Sequence, residues 1–391
     1  MQKVLLYSLF LILGLALSQF APLWVQGDCY SLFKTVINSL LYICLAYVMI
    51  NVGREFELNK AGLKGYANDF FIAMGAASLP WLFIATYYII VLLPPGYMVS
   101  WVAWKESLLL SMFSAPTSAG ILLTMLIVCG LRKSWIYRKI QVLAIFDDLG
   151  TILLIIALQI VIVGLQWEMG IVLMIVFSLL FFGWRKMSSF NWRQEWYDIL
   201  LYSTALHGAT LALAHFLHVH VEVLLPAFIL GMVMCHKETH SRYKRLAATL
   251  ISLFFMLLVG LSMPSFGALS AMELPASTQA DETTILGSQP MLSWGIIVVH
   301  VFAVTLLSNI GKLVPLFFYR QRSIEERLAV SIGMFIRGEV GAGIIFIAIS
   351  NNIGGPALII SVLTLVFNLV LTGFFISKVK QLASKQKKIY V

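Results

Sequence analysis

From Val4 to Phe20 the chain carries no charged residue, and apolar runs of this kind recur to its end. Nothing else constrains the fold as tightly. About 20 apolar residues in a helix match the hydrocarbon thickness of a bilayer. Inside hydrocarbon every backbone N–H and C=O must be bonded within the protein, which helices achieve and open strands do not. With 60% hydrophobic and 12% charged residues over 391 positions, the composition is that of a polytopic membrane protein. The runs place spans at roughly 4–20, 32–52, 70–93, 107–130, 140–163, 169–184, 199–217, 223–235, 247–266, 291–318, 328–350 and 355–377. The expected fold is therefore all-α, with about 12 transmembrane helices. The first run lacks a small-residue cleavage site and reads as a retained span rather than a signal peptide.

The net charge of +9 supports this count. All but four of the 27 Lys and Arg fall in the termini and the loops of one side, among them Arg54, Arg132, Lys133, Arg138, Lys139, Arg320, Arg322 and Arg327. Lys34 and Lys105 lie toward the other side, and Lys312 and Arg337 lie within spans. Sorting of this kind places both termini in the cytoplasm. The basic balance is thus a topology signal, and neither a nucleic-acid site nor a nucleotide-binding loop is expected. The outward loop 267–290 holds Glu273, Asp281 and Glu282 without a basic residue and reads as an exposed linker. The basic tail 378–391, with Lys385, Lys387 and Lys388, is expected to meet anionic membrane lipid and is too short for a regulatory domain.

Twelve spans put helices 1–5 and 8–12 in opposite orientations, the arrangement of an inverted repeat. The chain then reads as one membrane domain (1–391) built from a unit over 1–163, linking helices over 164–221 and a second unit over 222–377. Matching helices of the two units are interrupted, one by Ser114-Ala115-Pro116-Thr117-Ser118-Ala119-Gly120 and the other by the stretch from Gly333 to Gly343. Paired interruptions of this kind point to a transport site.

Five charges lie within the apolar windows: Asp147, Asp148, Lys312, Arg337 and Glu339. A carboxylate in hydrocarbon costs at least about 2.5 kcal/mol, so each is a functional candidate. At about 1.5 Å per residue, Asp147 and Lys312 both lie roughly 12 Å from the basic edge, and the interruptions lie near the same depth. Neighbours on a helix point about 100° apart, so one aspartate should pair with Lys312 while the other faces water. Such a pair breaks and releases a proton when a cation arrives. Carboxylate and hydroxyl oxygens suit small alkali cations, and Thr117 and Ser118 offer such hydroxyls. Arg337 and Glu339, two apart, are expected to satisfy interrupted helix ends.

The remaining candidates carry less. Cys29, Cys44, Cys129 and Cys235 show no metal or redox spacing, and no metal site beyond the transported cation is expected. His207 reads as a satisfied core histidine. His215, His218 and His220 read as an interfacial cluster, and His236 and His240 do not form the zinc-protease pattern.

Five stretches, in order and on the expected spans, resemble the monovalent cation:proton antiporters of the sodium/proton exchanger superfamily. They are Val52-Gly53-Arg54-Glu55-Phe56-Glu57, Ala115-Pro116-Thr117-Ser118, Phe146-Asp147-Asp148, Gly311-Lys312 and Gly333-Met334-Phe335-Ile336-Arg337-Gly338-Glu339. The resemblance covers nearly the whole chain. It implies two crossed broken helices in a core domain, a second domain forming a homodimer, and alternating access in a bacterial cytoplasmic (inner) membrane. Carried over by position, Asp148 matches the acid that holds cation and proton, Asp147 the acid paired with lysine, and Lys312 that lysine. Thr117 and Ser118 match the broken-helix ligands, and the double aspartate resembles the electrogenic branch. Ile336 departs from the pattern, where the family often has proline. The lack of a following nucleotide-binding domain argues against the potassium-efflux subclass.

The expectation is a secondary Na⁺(Li⁺)/H⁺ antiporter without cofactor and not an enzyme. A K⁺/H⁺ antiporter and a sodium-coupled symporter of a small organic solute stay open as alternatives.

Overall fold

The computed structural model describes residues 2–24, 28–54, 63–163, 174, 178, 181, 195–217, 223–234, 242–262, 285–350 and 353–387, and these are mostly helical with no β-strand among them. The helices are α1 (Gln2–Trp24), α2 (Asp28–Arg54), α3 (Leu63–Tyr87), α4 (Trp101–Ser111), α5 (Ala119–Val128), α6 (Trp135–Val163) and α7 (Trp196–Leu217). They continue with α8 (Leu224–Val233), α9 (Arg242–Ser262), α10 (Trp294–Gly311), α11 (Val314–Phe317), α12 (Ile324–Gly333), α13 (Glu339–Ser350) and α14 (Gly355–Lys387).

Serine marks where several of these helices begin. The hydroxyls of Ser100, Ser118, Ser134 and Ser323 accept from the backbone N–H of Ala103, Ile121, Tyr137 and Glu326, starting α4, α5, α6 and α12. Five stretches are long and apolar enough to cross a membrane: Leu32–Asn51, Gly65–Leu92, Trp101–Val128, Trp294–Phe317 and Gly355–Ser384. The chain is an integral membrane protein, and the span expected over 169–184 lies almost wholly outside the described residues.

Two bundles emerge from the packing. In the first, α1 lies along α9, and α2 lies along α7, α8 and α9. Here backbones touch: a Cβ on Gly14 would strike the carbonyl of Leu257, one on Gly260 the carbonyl of Leu11, and one on Gly231 the carbonyl of Ile50. In the second, α3 packs on α4, α6 and α10, and α14 packs on α10 and α12. Gly311 of α10 sits directly on the backbone of Pro80 in α3. Each bundle draws on both halves of the sequence.

One expectation needs correction. Apolar windows left only five charges inside spans, but the helices run past those windows. α3 begins at Leu63, α4 at Trp101 and α7 at Trp196, so Asp69, Glu106 and Asp198 are also buried within helices. Two of them are stabilised by donors from distant segments. Asp69 accepts from Lys139 Nζ at 2.8 Å and from Tyr319 Oη at 2.7 Å. Glu106 accepts from the backbone N–H of Ile285 and Leu286 at 3.0 and 2.8 Å. A carboxylate supplied with such donors no longer ends a buried helix.

Candidate functional site

Helix α4 continues through one 3-10 turn (Met112–Ser114) and then opens until α5 begins at Ala119. Between α12 and α13 the chain opens over 334–338. The two openings lie side by side. Thr117 Oγ1 donates to the carbonyl of Met334 at 3.1 Å, and Ser118 N donates to the carbonyl of Ile336 at 2.9 Å. Glycine at 338 permits this approach, since a Cβ there would stand 2.8 Å from the Ser118 side chain. Each break thus supplies partners for groups that the other break frees.

The ends that remain are matched by charge. A helix terminates in unpaired carbonyls at its C-terminal end and unpaired N–H groups at its N-terminal end, with partial charges to match. At the carbonyl side of the first break, Lys312 Nζ donates to Ala115 O at 2.6 Å, and Arg337 Nη1 donates to Pro116 O at 3.2 Å. At the amide side, Thr117 N donates to Asp147 Oδ2 at 2.7 Å. Two cations hold the carbonyl end and a carboxylate holds the amide end.

Lys312 also joins Asp147 directly, at 2.8 Å to Oδ1 and 2.9 Å to Oδ2, and both side chains are fully buried. Both carboxylate oxygens of Asp147 are therefore engaged. Lys312 reaches this point because α10 ends at Gly311 and the lysine forms its cap, so its stem leaves the helix end rather than its flank. Asp148, the next residue on α6, is 4% exposed and points about 100° away from Asp147. Two carboxylates and two cations are thus buried together. Their charges cancel when both acids are ionised, and a proton or a monovalent cation on Asp148 would change that balance by the same single charge.

Arg337 bonds an interrupted helix end, and that end belongs to the other break rather than to its own helix. Its guanidinium crosses to Pro116 O and to α10, where Nη2 donates to Ser308 Oγ at 2.7 Å. The side chain of Glu339 lies outside the described residues, and its backbone opens α13. Thr117 meets the site through its N–H, while its hydroxyl is committed to Met334.

Sequence reasoning missed three parts of this region. The Ala115 and Pro116 carbonyls carry no side-chain signal. Ser308 is legible only in hindsight, one helical turn before Lys312. The group Asp69, Lys139 and Tyr319 lies toward the basic side of α6, where Lys139 also covers the Tyr319 ring at 4.9 Å. Burial and the adjacent Asp69 carboxylate raise the Tyr319 pKa above its usual value.

Other candidates fall away from the site. His207 is buried on α7, with its ring 5.7 Å from that of Tyr42. Among the described residues neither of its nitrogens has a hydrogen-bond partner, against the expectation of a satisfied histidine. Cys44 is buried, Cys129 half-buried and Cys29 exposed. Cys235, His218, His220, His236, His240, Glu55–Glu57 and most of the loop 267–290 lie outside the described residues, as does the side chain of His215. Among the described residues no group of three or more His, Cys, Asp or Glu could hold a metal ion.

A family model described as "Sodium/hydrogen exchanger, transmembrane" matches residues 3–379. Among solved structures, the sodium proton antiporter MjNhaP1 from Methanocaldococcus jannaschii is similar at a TM-score of 0.53 and 13% identity, over 94% of this chain and 91% of that one. At that identity the likeness speaks for the fold. No curated protein matches the chain.

Proposed function

Because this chain belongs to the sodium/hydrogen exchanger family, we propose that it is a secondary antiporter that exchanges Na⁺ or Li⁺ for protons across a bacterial cytoplasmic membrane, with both termini in the cytoplasm. Asp148 holds cation and proton in turn. Asp147 and Lys312 form the pair that opens when cation enters, and Thr117 and Ser118 place the broken-helix backbone at the ion. Arg337 keeps the first break in register. Exchange proceeds by alternating access within a homodimer and moves net charge.

The observation that carries this reading is the fully buried Asp147–Lys312 pair, with Asp148 beside it at the junction of two helix breaks. A buried pair that served only stability would have no need of a second buried carboxylate at the next position. A buried lysine with one carboxylate partner has a proton to yield when that partner is drawn elsewhere. Cation and proton compete for the same carboxylate, so by linkage each lowers the apparent affinity of the other. Lower pH must therefore raise the cation concentration needed for half-maximal exchange.

The test is exchange in proteoliposomes carrying an imposed pH gradient, with internal pH followed as Na⁺, Li⁺, K⁺ or choline is added. Proton flux driven by Na⁺ or Li⁺ and not by choline is expected, with a rate that responds to membrane potential. Flux with K⁺ alone would reassign the cation. No flux with any alkali cation from folded protein would remove the antiport reading.

A further inference from the structure

Glycines make close contacts both inside the two bundles and between them. Inside the second, Gly75, Gly150, Gly333 and Gly338 would meet the side chains of Val314, Met74, Ile140 and Ser118, whereas other glycines meet backbone. Every described glycine whose added Cβ would strike backbone does so within one bundle: Gly14, Gly231 and Gly260 in the first, Gly311, Gly341 and Gly355 in the second. Where the bundles meet, the contacts are with the tips of side chains. Gly373 of α14 faces the Ser8 hydroxyl of α1. A Cβ on Gly120 of α5 would stand 2.9 Å from Cζ of Phe255 on α9 and 3.0 Å from Cδ1 of Leu45 on α2. All three residues are buried, and Gly120 lies two residues past Ser118 at the first break.

We propose that Gly120, with Leu45 and Phe255 lying on it, is the sliding contact that sets the rate at which the ion-site bundle moves past its neighbour. The inference rests on the alternating-access reading above and adds the residues that limit it. Backbone-to-backbone contacts inside a bundle leave nothing to yield, so each bundle moves as one body. Motion is left to the boundary, where a bare main-chain surface passes under two apolar side chains. A methyl group at position 120 would give those side chains a ridge to climb, and the barrier for each passage rises.

Glycine is a poorer helix former than alanine, so Gly120→Ala should strengthen α5 itself. A slower protein therefore cannot be attributed to a weakened helix. The added methyl meets side-chain tips rather than backbone, so folding should survive it.

The experiment measures cation-driven proton flux in proteoliposomes as a function of Na⁺ for the native chain, Gly120→Ala and Gly120→Ala/Phe255→Ala. Gly120→Ala should lower the maximal rate about tenfold with half-saturating Na⁺ unmoved, and the double variant should recover to within about threefold of native. A native rate in Gly120→Ala would overturn the proposal, as would a slow rate that Phe255→Ala fails to restore. Phe255→Leu on the native glycine provides a second route should Gly120→Ala fail to accumulate. It keeps the boundary apolar, and a maximal rate changed by about threefold or more at constant half-saturation is expected. An unchanged rate there also overturns the proposal. The native flux separates the two claims. Its absence removes the transport reading and this inference with it, whereas native flux with unaltered variants removes the inference alone.

Discussion

The bundle of α1, α2 and α7–α9 is held close by glycine against backbone, and the bundle of α3–α6 and α10–α14 adds to such contacts fully buried charge against backbone, as between Lys312 and the Ala115 carbonyl. The first carries one buried charged residue among those described, Asp198. The second carries Asp69, Glu106, Asp147, Asp148, Lys312, Glu326 and Arg337. Dispersion between closely fitted helices is insensitive to ions, and buried charge is not. The chain thus packs glycine on backbone in both bundles but concentrates its buried charge in one, so substitutions in the two bundles should fail in different ways.

The sharpest separation comes from Asp148→Asn, which should abolish cation-driven proton flux while leaving the detergent-solubilised protein folded by circular dichroism. Retained exchange there would falsify the proposed mechanism. Lys312→Ala should disturb stability as well as transport. Stranding one member of a buried pair costs about 3–5 kcal/mol, readable as a lowered melting temperature. Adding Asp147→Asn should cost less than the two single changes summed, because the stranded charge goes with it. Additive losses would mean that the pair is not coupled.

Gly260→Ala probes the other bundle. A Cβ there meets the Leu11 carbonyl and the α1 backbone, so overpacking of about 1–3 kcal/mol is expected. The proteins that do fold should exchange at the native rate, the inverse of the Gly120→Ala pattern. The smallest effect belongs to Tyr319. Burial and Asp69 raise its pKa in the folded chain, so above the unfolded value of about 10 the folded state keeps a proton that the unfolded state loses. Its contribution is complete below that pH and declines as pH rises past it. Tyr319→Phe should therefore flatten the alkaline fall in melting temperature by a degree or two at most, on the order expected for a fraction of a kcal/mol.

Much of this was legible in the sequence, and the reasons are physical. Runs such as 32–52 and 291–318 reveal helices long and apolar enough to cross a membrane because bilayer thickness acts on composition. Ala115-Pro116-Thr117-Ser118 reveals a break because proline and hydroxyl residues loosen a helix. Asp147 and Lys312 meet where depth arithmetic along α6 and α10 puts them. Burial of Asp69 and Glu106 was not legible, since their donors lie 70 or more residues away in sequence. Nor was the direction of Arg337, which depends on how two breaks lie against each other. Main-chain carbonyls such as those of Ala115 and Pro116 belong to every residue alike and leave no trace in composition.

Gly311 and Pro80 bring α10 and α3 together with no side chain between them. The two main chains act as a spacer of fixed thickness, and the lysine stem that begins at the next residue is measured from it. Thickening the spacer by one methyl group would leave the ammonium short of Asp147 although every residue of the buried charged cluster remained in place. Tolerance to change along α10 is therefore uneven. Its exposed positions, such as Val299, Phe302 and Leu306, can drift in size, whereas position 311 sets the length standard for the lysine's reach.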